Sequence, residues 1–452
     1  MRSVVILEAD WREPVQVMNA WAERPFALGL LSSGGDRGRW SYLTRDPEAT
    51  LTFSPDDPRD PFEAMRELLG PGGPSVEDGP PFQGGLAGLL TYELGVRVEE
   101  VGHPSHPEWP LLACGLYLGL LAFDHQRRRV LAIGRGVDDQ EARRKALAAL
   151  GWMEGAPGPA RPNRLTDGFD SLTPGETYEA SVADVTTRIA DGEIFQANIA
   201  RAWGGRLCTG VRPFDLVVRL GEQSPASFCA YLRLPGRAVV SNSPERFLSV
   251  DAKHRIETRP IKGTRPRGSS PAQDQALMQE LIDCEKDRAE NLMIVDLMRN
   301  DISRVCPAGT VEAPELFRIE SFANVHHLVS TVTGSLTPGL GVLDALKAAF
   351  PPGSITGAPK VQAIKAIAGY EGPRGPYCGS MFWAGFDGAG DSSVLIRTAS
   401  FLEDDGGWRF EARAGAGIVA DSDPHQERLE TEAKIDALRR AFEEPAPVEP
   451  AE

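Results

Sequence analysis

Glu257-Thr-Arg-Pro-Ile-Lys-Gly-Thr-Arg-Pro-Arg-Gly268 sets one lysine, Lys262, in a run of arginines and prolines. Only 8 of the 48 basic residues are lysines, which leaves 40 arginines. A surface cation here would ordinarily be arginine, so this lysine needs a chemical reason. An amine can lose its proton and attack carbon, whereas a guanidinium stays protonated. Pro260 favours extended geometry at Arg259, and Gly263 invites a turn, so the stretch predicts a strand with Lys262 at its end. Out of context a solvated loop lysine is the simpler reading, and the flanking sequence has to decide.

Working outward, the chain reads as α+β. Strand-like segments at Ala238 to Asn242, Phe247 to Val250, Val394 to Phe401 and Trp408 to Arg413 come in runs. Between them lie helical patterns at 271–298, Val342 to Phe350, Lys360 to Ile367 and Gln426 to Phe442, with no regular βαβ alternation. Thr173-Pro174 predicts a helix start, with Tyr178, Val182, Val185 and Ile189 on one face and Asp191-Gly192 at the end. Residues 1–152 form an N-terminal region of short β-rich runs, turn clusters at Ser32 to Gly38 and Pro71 to Pro74, and a helix from Asp139 to Leu150. A Pro- and Gly-rich linker is expected over 153–172, a main region over 173–442 and a disordered tail over 443–452.

Composition excludes several classes. A net charge of −16 argues against a nucleic-acid footprint. An anionic ligand would need a local positive site built against that field. The six cysteines lack a C-x-x-C pair and read as reduced thiols. The N-terminus becomes charged too early for a signal peptide, and the longest apolar run, Leu111 to Phe123, is too short to span a bilayer. A cytoplasmic protein is expected.

The last helix carries the sharpest chemical signal. Glu427, Glu430 and Lys434 share a narrow arc with Ile435, Leu438 and Phe442, whereas Asp436, Arg439 and Arg440 do not. Two carboxylates one turn apart on a docking face suit Mg2+, although such charges can also decorate a solvated face. In Lys286 to Asp301, only Asp296 is polar from Leu292 to Met298, which predicts a helix buried nearly all round. Glu290 at its start either joins the metal or pairs with Lys286, and its own surroundings do not choose. Phe350-Pro-Pro-Gly-Ser-Ile-Thr-Gly-Ala-Pro-Lys360 is a turn whose amides can cradle an anion at a helix start, without the ending of a P-loop. Ala414-Gly-Ala-Gly-Ile418 permits close backbone approach to a ligand or within a sheet. His326-His327 could be core, ligand or proton relay, with a buried, hydrogen-bonded pair as the default.

Together these stretches resemble the chorismate-utilising enzymes. Matching segments are Ser243-Pro-Glu-Arg-Phe247, Arg259-Pro-Ile-Lys-Gly-Thr264, Lys286 to Asp301, His326 to Ser330, Gly353 to Lys360, Ile396-Arg-Thr398 and Gly415 to Lys434. Pro81 to Gly95 also looks like this family. The resemblance implies a large antiparallel β-sandwich with helices packed outside. Lys262 implies the aminodeoxychorismate-forming branch, since the anthranilate-forming enzymes carry Ala there. Gln196 stands where isochorismate-forming enzymes carry a water-activating lysine, and it cannot deprotonate water.

The resemblance further implies roles for individual residues. Mg2+ would be held by Glu290, Glu427 and Glu430, with Lys434 and the amides around Gly357 and Gly417 at the ring-carboxylate end and Gly415 also at the substrate. Tyr377 and Arg397 would clamp the enolpyruvyl carboxylate, and Gln196, Thr264, His327 and Thr356 would line the pocket. Lys262 would attack the ring and Glu245 would protonate the leaving hydroxyl, with ammonia from a separate glutamine amidotransferase subunit. The product would be 4-amino-4-deoxychorismate for p-aminobenzoate and folate synthesis. The sequence has no segment with room for its own glutaminase constellation. A tryptophan pocket is implied near Ser32, Ser33, Trp40, Pro81 and Phe82. Ser380-Met-Phe-Trp-Ala departs from the family's frequent Gly-Tyr at Phe382-Trp383. Rival readings are an anthranilate-forming enzyme and a non-catalytic paralogue; the retained Glu245, Glu290, Glu427, Glu430 and Lys262 weigh against the latter.

Overall fold

Two antiparallel sheets, of 12 and 10 strands, organise the computed structural model, which describes residues 3–33, 38–102, 104–155, 158–322 and 325–445. The turn cluster at 32–38, the expected linker and the expected tail lie partly outside these residues. The first sheet runs Ser3–Asp10, Arg129–Gly136, Gly119–Asp124, Trp40–Thr44, Leu28–Leu31, Phe228–Leu234, Arg237–Ser243, Thr398–Asp404, Gly407–Ile418, Gln196–Arg206 and Gly357–Ala358. The second runs Ile261–Pro266, Val325–Ser335, Arg255–Thr258, Arg246–Val250, Gly390–Val394, Ser380–Gly385, Gly85–Leu90, Leu112–Tyr117 and Ala49–Phe53; Asp170–Ser171, beside Gln196–Arg206, is the twelfth strand of the first sheet, and Glu312–Ser321, beside Val325–Ser335, the tenth of the second. Both sheets draw strands from before residue 152 and after residue 173. With 11 α-helices among the described residues, the architecture is α+β.

One core cluster takes Leu28, Tyr42 and Ala122 from the first sheet and Ala87, Leu89 and Trp383 from the second. Tyr42 and Trp383 meet with ring centroids 6.3 Å apart. Within the segment expected as a linker, Leu165 is fully buried and Thr166 bridges Leu207. No helix among the described residues is long and apolar enough to cross a membrane. All six cysteines are unpaired.

The structure departs from the sequence reading at points that matter for the site. The expected strand from Val394 to Phe401 is broken: Gly390–Val394 belongs to the second sheet and Thr398–Asp404 to the first. The chain crosses between sheets there, and Arg397 takes a φ of +50° at the crossing. A second crossing follows Ser243, with Glu245 between a first-sheet strand and a second-sheet strand. The two crossings are tied by backbone bonds, Asn242 N to Arg397 O at 3.0 Å and Val394 N to Glu245 O at 3.1 Å.

The expected helix at 271–298 is two helices, Pro271–Asp283 and Glu285–Ser303, joined at an extended Cys284. Leu281 of the first and Asp287 of the second both close on Gly263, so the break lets the pair wrap the lysine strand. The second helix is buried on one face only: Ile294, Val295 and Met298 are covered, whereas Leu292 is 44% exposed. The helix expected to start at Thr173 spans Gly175–Ala190 with Pro174 as its cap residue, because the Thr173 hydroxyl accepts the amide of Ala202 instead.

One buried ion pair locks these elements together. Lys360 Nζ donates to Asp301 Oδ2 and to Ala349 O, both at 2.7 Å, and the two side chains are almost wholly covered. Removing one member strands a buried charge, at about 3–5 kcal/mol. Asp301→Ala is therefore expected to lower unfolding stability in urea by about 3 kcal/mol. The double replacement Asp301→Leu with Lys360→Met should recover most of that loss.

Candidate active site

Lys262 lies inside the strand Ile261–Pro266, not at its end. The pairing with Val325–Ser335 slips between Ile261 and Thr264, and Gly263 takes φ +79°. This bulge re-aims the lysine. A side chain at Gly263 would collide with Asp287 and Leu281, so glycine is required twice over, by conformation and by space.

The floor under Lys262 is bare sheet. Gln196–Arg206 pairs with Gly407–Ile418 so that Asn198 faces Gly417 and Ala200 faces Gly415. A Cβ on Gly417 would stand 2.4 Å from Gln196 Nε2 and 3.2 Å from Lys262 Nζ. One on Gly415 would stand 2.6 Å from Asn198 Oδ1 and 3.1 Å from the Tyr377 hydroxyl. Gln196 is fully buried, yet neither end of its amide has a hydrogen-bond partner among the described residues. Polar groups are rarely left so inside a protein unless a ligand completes them.

The electrostatics divide into an amine pushed down and an acid pushed up. Lys262, with 14% of its side chain exposed, has its pKa lowered by burial and by the charge of Lys434, against the opposing pull of Glu290 and Glu245. Glu245 is 6% exposed, and burial raises its pKa to about 7; Ser354 Oγ donates to its Oε1 at 2.8 Å. Each of Lys262 and Glu245 feels the other's charge.

Glu290 and Glu430 act by charge on Lys262, and Glu427 lies beside Glu430. Glu290 Oε2 is 3.9 Å from Lys262 Nζ, Glu430 binds Lys434 at 2.6 Å, and Glu427 accepts Ser422 Oγ at 2.6 Å. Burial raises the pKa of Glu290 and of Glu427, and the charge of Glu430 raises each further. The helix Pro424–Glu443 buries Glu427, Ile435, Leu438 and Phe442, as its arc predicts. Glu430 and Lys434 correct that prediction: their side chains are 50% and 45% exposed, because they stand at the mouth of the site. Among the described residues, no three His, Cys, Asp or Glu side chains converge at metal-holding spacing. The donor set still fits a hard divalent cation in kind, being three oxygen ligands that repel one another and are engaged by two lysines and a hydroxyl.

Around this centre, Lys434 Nζ donates to Gly415 O at 2.9 Å. His327 Nδ1 meets Thr264 Oγ1 at 2.9 Å, and burial with the charge of Arg397 lowers its pKa to about 4. His326 is buried between Ser321 and Asp274 and does not join. Arg397 has neither an ion-pair nor a hydrogen-bond partner for its guanidinium among the described residues, and burial lowers its pKa. Thr356 is buried, its hydroxyl donates to Pro352 O, and its carbonyl accepts Asn198 N. Gly357, at φ +138°, packs on Gln196 O.

A separate cavity of about 280 Å3 is lined by Ser32, Trp40 and Pro81, with Trp383, Arg246 and Asp391 opposite. Ser33 is exposed and outside the lining, while Phe82 lies behind it, stacked on Trp383 at 5.0 Å. The large aromatic at 383 thus shapes this cavity wall.

Sequence reading missed Asn198, Ser354 and Arg374. Arg374 is buried, pairs with Glu371 and donates to Asn198 O at 2.6 Å and Ile355 O at 3.1 Å. The alternation of Gln196 and Asn198 opposite two glycines could have pointed to Asn198. Arg374 has no such signal.

The sequence profile of the chorismate binding enzyme family matches residues 30–440. The chain is 39% identical to an aminodeoxychorismate synthase component 1 of Salmonella typhimurium, over 93% of each chain. It is 38% identical to an anthranilate synthase component 1 of Streptomyces coelicolor, over 93% of this chain and 84% of that one. The solved anthranilate synthase component I of Streptococcus pneumoniae superposes with a TM-score of 0.80 at 27% identity, covering 90% of this chain and 93% of that one.

The raised pKa of Glu245 carries a stability signature. A carboxyl that holds its proton up to about pH 7 when folded, against 4.5 ordinarily, favours folding at low pH. That advantage disappears as pH rises from 4.5 through 7, by ~3 kcal/mol. Glu245→Gln should match the wild type in urea unfolding near pH 4.5 and exceed it by about that amount at pH 8.

Proposed function

The chain belongs to the chorismate binding enzyme family, and we propose that its site converts chorismate and ammonia to 4-amino-4-deoxychorismate. The relatives named aminodeoxychorismate synthase component 1, at 39% and 37% identity, support this branch. The observation that carries it is Lys262 over the Gly417 floor, its pKa lowered beside a carboxyl whose pKa is raised to about 7. A neutral amine next to a protonated acid is what nucleophilic displacement of a hydroxyl requires.

In this reading Lys262 Nζ bonds to ring C2, the ring double bond shifts, and the C4 hydroxyl leaves as water with the proton of Glu245. Ammonia then bonds to C4, the double bond shifts back, and Lys262 departs as the free amine. The unpaired Arg397 guanidinium and the Tyr377 hydroxyl would receive the enolpyruvyl carboxylate. Lys434 and the amides at Gly357 and Gly417 would receive the ring carboxylate, with His327, Thr264, Thr356 and Gln196 closing the pocket. Glu290, Glu427 and Glu430 would hold Mg2+, whose positive charge would neutralise that carboxylate. The ammonia source proposed is a separate glutamine amidotransferase subunit, and the product would serve p-aminobenzoate and folate synthesis. The finer architecture proposed is a β-sandwich, supported by the core cluster that both sheets share. The cavity beside Trp383 is proposed to take tryptophan.

Mass spectrometry of the product from chorismate, Mg2+ and ammonium tests the reading. Aminodeoxychorismate is expected from the wild type and should be lost or diverted in Lys262→Ala. Anthranilate from the wild type would assign the other branch, and no consumption of chorismate would leave a non-catalytic binder.

For the metal, titration calorimetry should show Mg2+ binding that weakens at least 10-fold in Glu427→Gln and in Glu430→Gln, since even an outer-shell partner of a metal ligand is typically worth about 10-fold or more.

A further inference from the structure

Asn198 is a buried residue whose side-chain oxygen has no hydrogen-bond partner among the described residues. Its side chain sits in the site wall, 8% exposed overall, and Oδ1 is covered without any protein donor. The backbone of the same residue is fixed on both sides: its N–H donates to Thr356 O at 2.9 Å, and its carbonyl accepts Arg374 Nη2 at 2.6 Å. Arg374 is itself held by Glu371 and spans to Ile355 O. A residue this firmly placed with an idle acceptor is arranged for a ligand.

The position of that acceptor narrows the ligand group. Oδ1 lies on the Gly415 side of the floor, where the Tyr377 hydroxyl also points, and away from the Gly417 side where Lys262 stands. An amide oxygen needs an N–H or O–H donor. Chorismate at neutral pH is a dianion whose carboxylates and ether only accept, and its one O–H is the hydroxyl at C4. Of the two molecules consumed in the proposed reaction, the other brings its donor to the same carbon: ammonia replaces that hydroxyl. We infer that Asn198 Oδ1 is the hydrogen-bond acceptor for ring position 4, binding the departing hydroxyl first and the entering amine afterwards. This makes Asn198 a substrate-contacting residue and Arg374 the group that positions it. The inference rests on the proposed chemistry at that carbon.

The test compares wild type, Asn198→Leu and Asn198→Thr with chorismate, Mg2+ and varied ammonium, alongside thermal melts of each. Leucine keeps the volume and removes the acceptor; threonine restores a hydroxyl acceptor. The expected result is a fall in kcat/KM for ammonium on the order of tenfold to a hundredfold in Asn198→Leu, partly recovered in Asn198→Thr. The melting midpoint of Asn198→Leu should be equal to wild type or higher, because an unsatisfied buried acceptor has been removed. Activity of Asn198→Leu within twofold of wild type would overturn the inference. So would a loss that tracks a lowered midpoint and is equal in both variants. No turnover by the wild type would instead remove the proposed function on which the inference stands.

Discussion

Two backbone hydrogen bonds between neighbouring sheet crossings hold this site in being. Asn242 N to Arg397 O and Val394 N to Glu245 O fasten together the places where the chain leaves one sheet for the other. Glu245 and Arg397 sit at those crossings, where the backbone can direct side chains into the space between sheets. Within a regular strand they would alternate onto fixed faces and compete with core packing. The buried Lys360–Asp301 pair performs the same service for the helix that bears Glu290, pinning it to the Gly353–Ala358 turn.

On this frame the protein builds a positive site in an acidic chain. Lys434 acts by its charge on Lys262, and Arg397 on His327, although the net charge is −16. Three carboxylates lie among them and keep the cluster from being simply cationic. Burial is what tunes it: the same desolvation that lowers Lys262 raises Glu245, because each favours its neutral form. Burial thereby shifts the amine and the acid each toward its neutral form.

The space for a ligand is made by omission. Gly415 and Gly417 lack side chains where Asn198, Gln196, Tyr377 and Lys262 come closest. Any larger residue there would collide with those groups. Both ends of the Gln196 amide and the side-chain oxygen of Asn198 lie buried there without a partner among the described residues, a polar demand the protein itself does not meet. The aromatic cavity at Trp383 is separate, although Arg246, one residue past Glu245, forms part of its wall.

Much of this was legible beforehand because local sequence carries local physics. The rarity of lysine marked Lys262, the 3.6-residue arc put Glu427 with Ile435 and Leu438, and paired glycines marked Gly415 and Gly417. Strand and helix patterns gave α+β because hydrophobic period is fixed by backbone geometry within a few residues. Tertiary structure decided the rest. Only strand pairing could show that 394–401 breaks to cross sheets, that Lys262 rides a bulge, and that Glu430 and Lys434 stand at an open mouth. Asn198 and Arg374 became visible only then, since whether a buried polar group has a partner depends on residues that are distant in sequence and close in space.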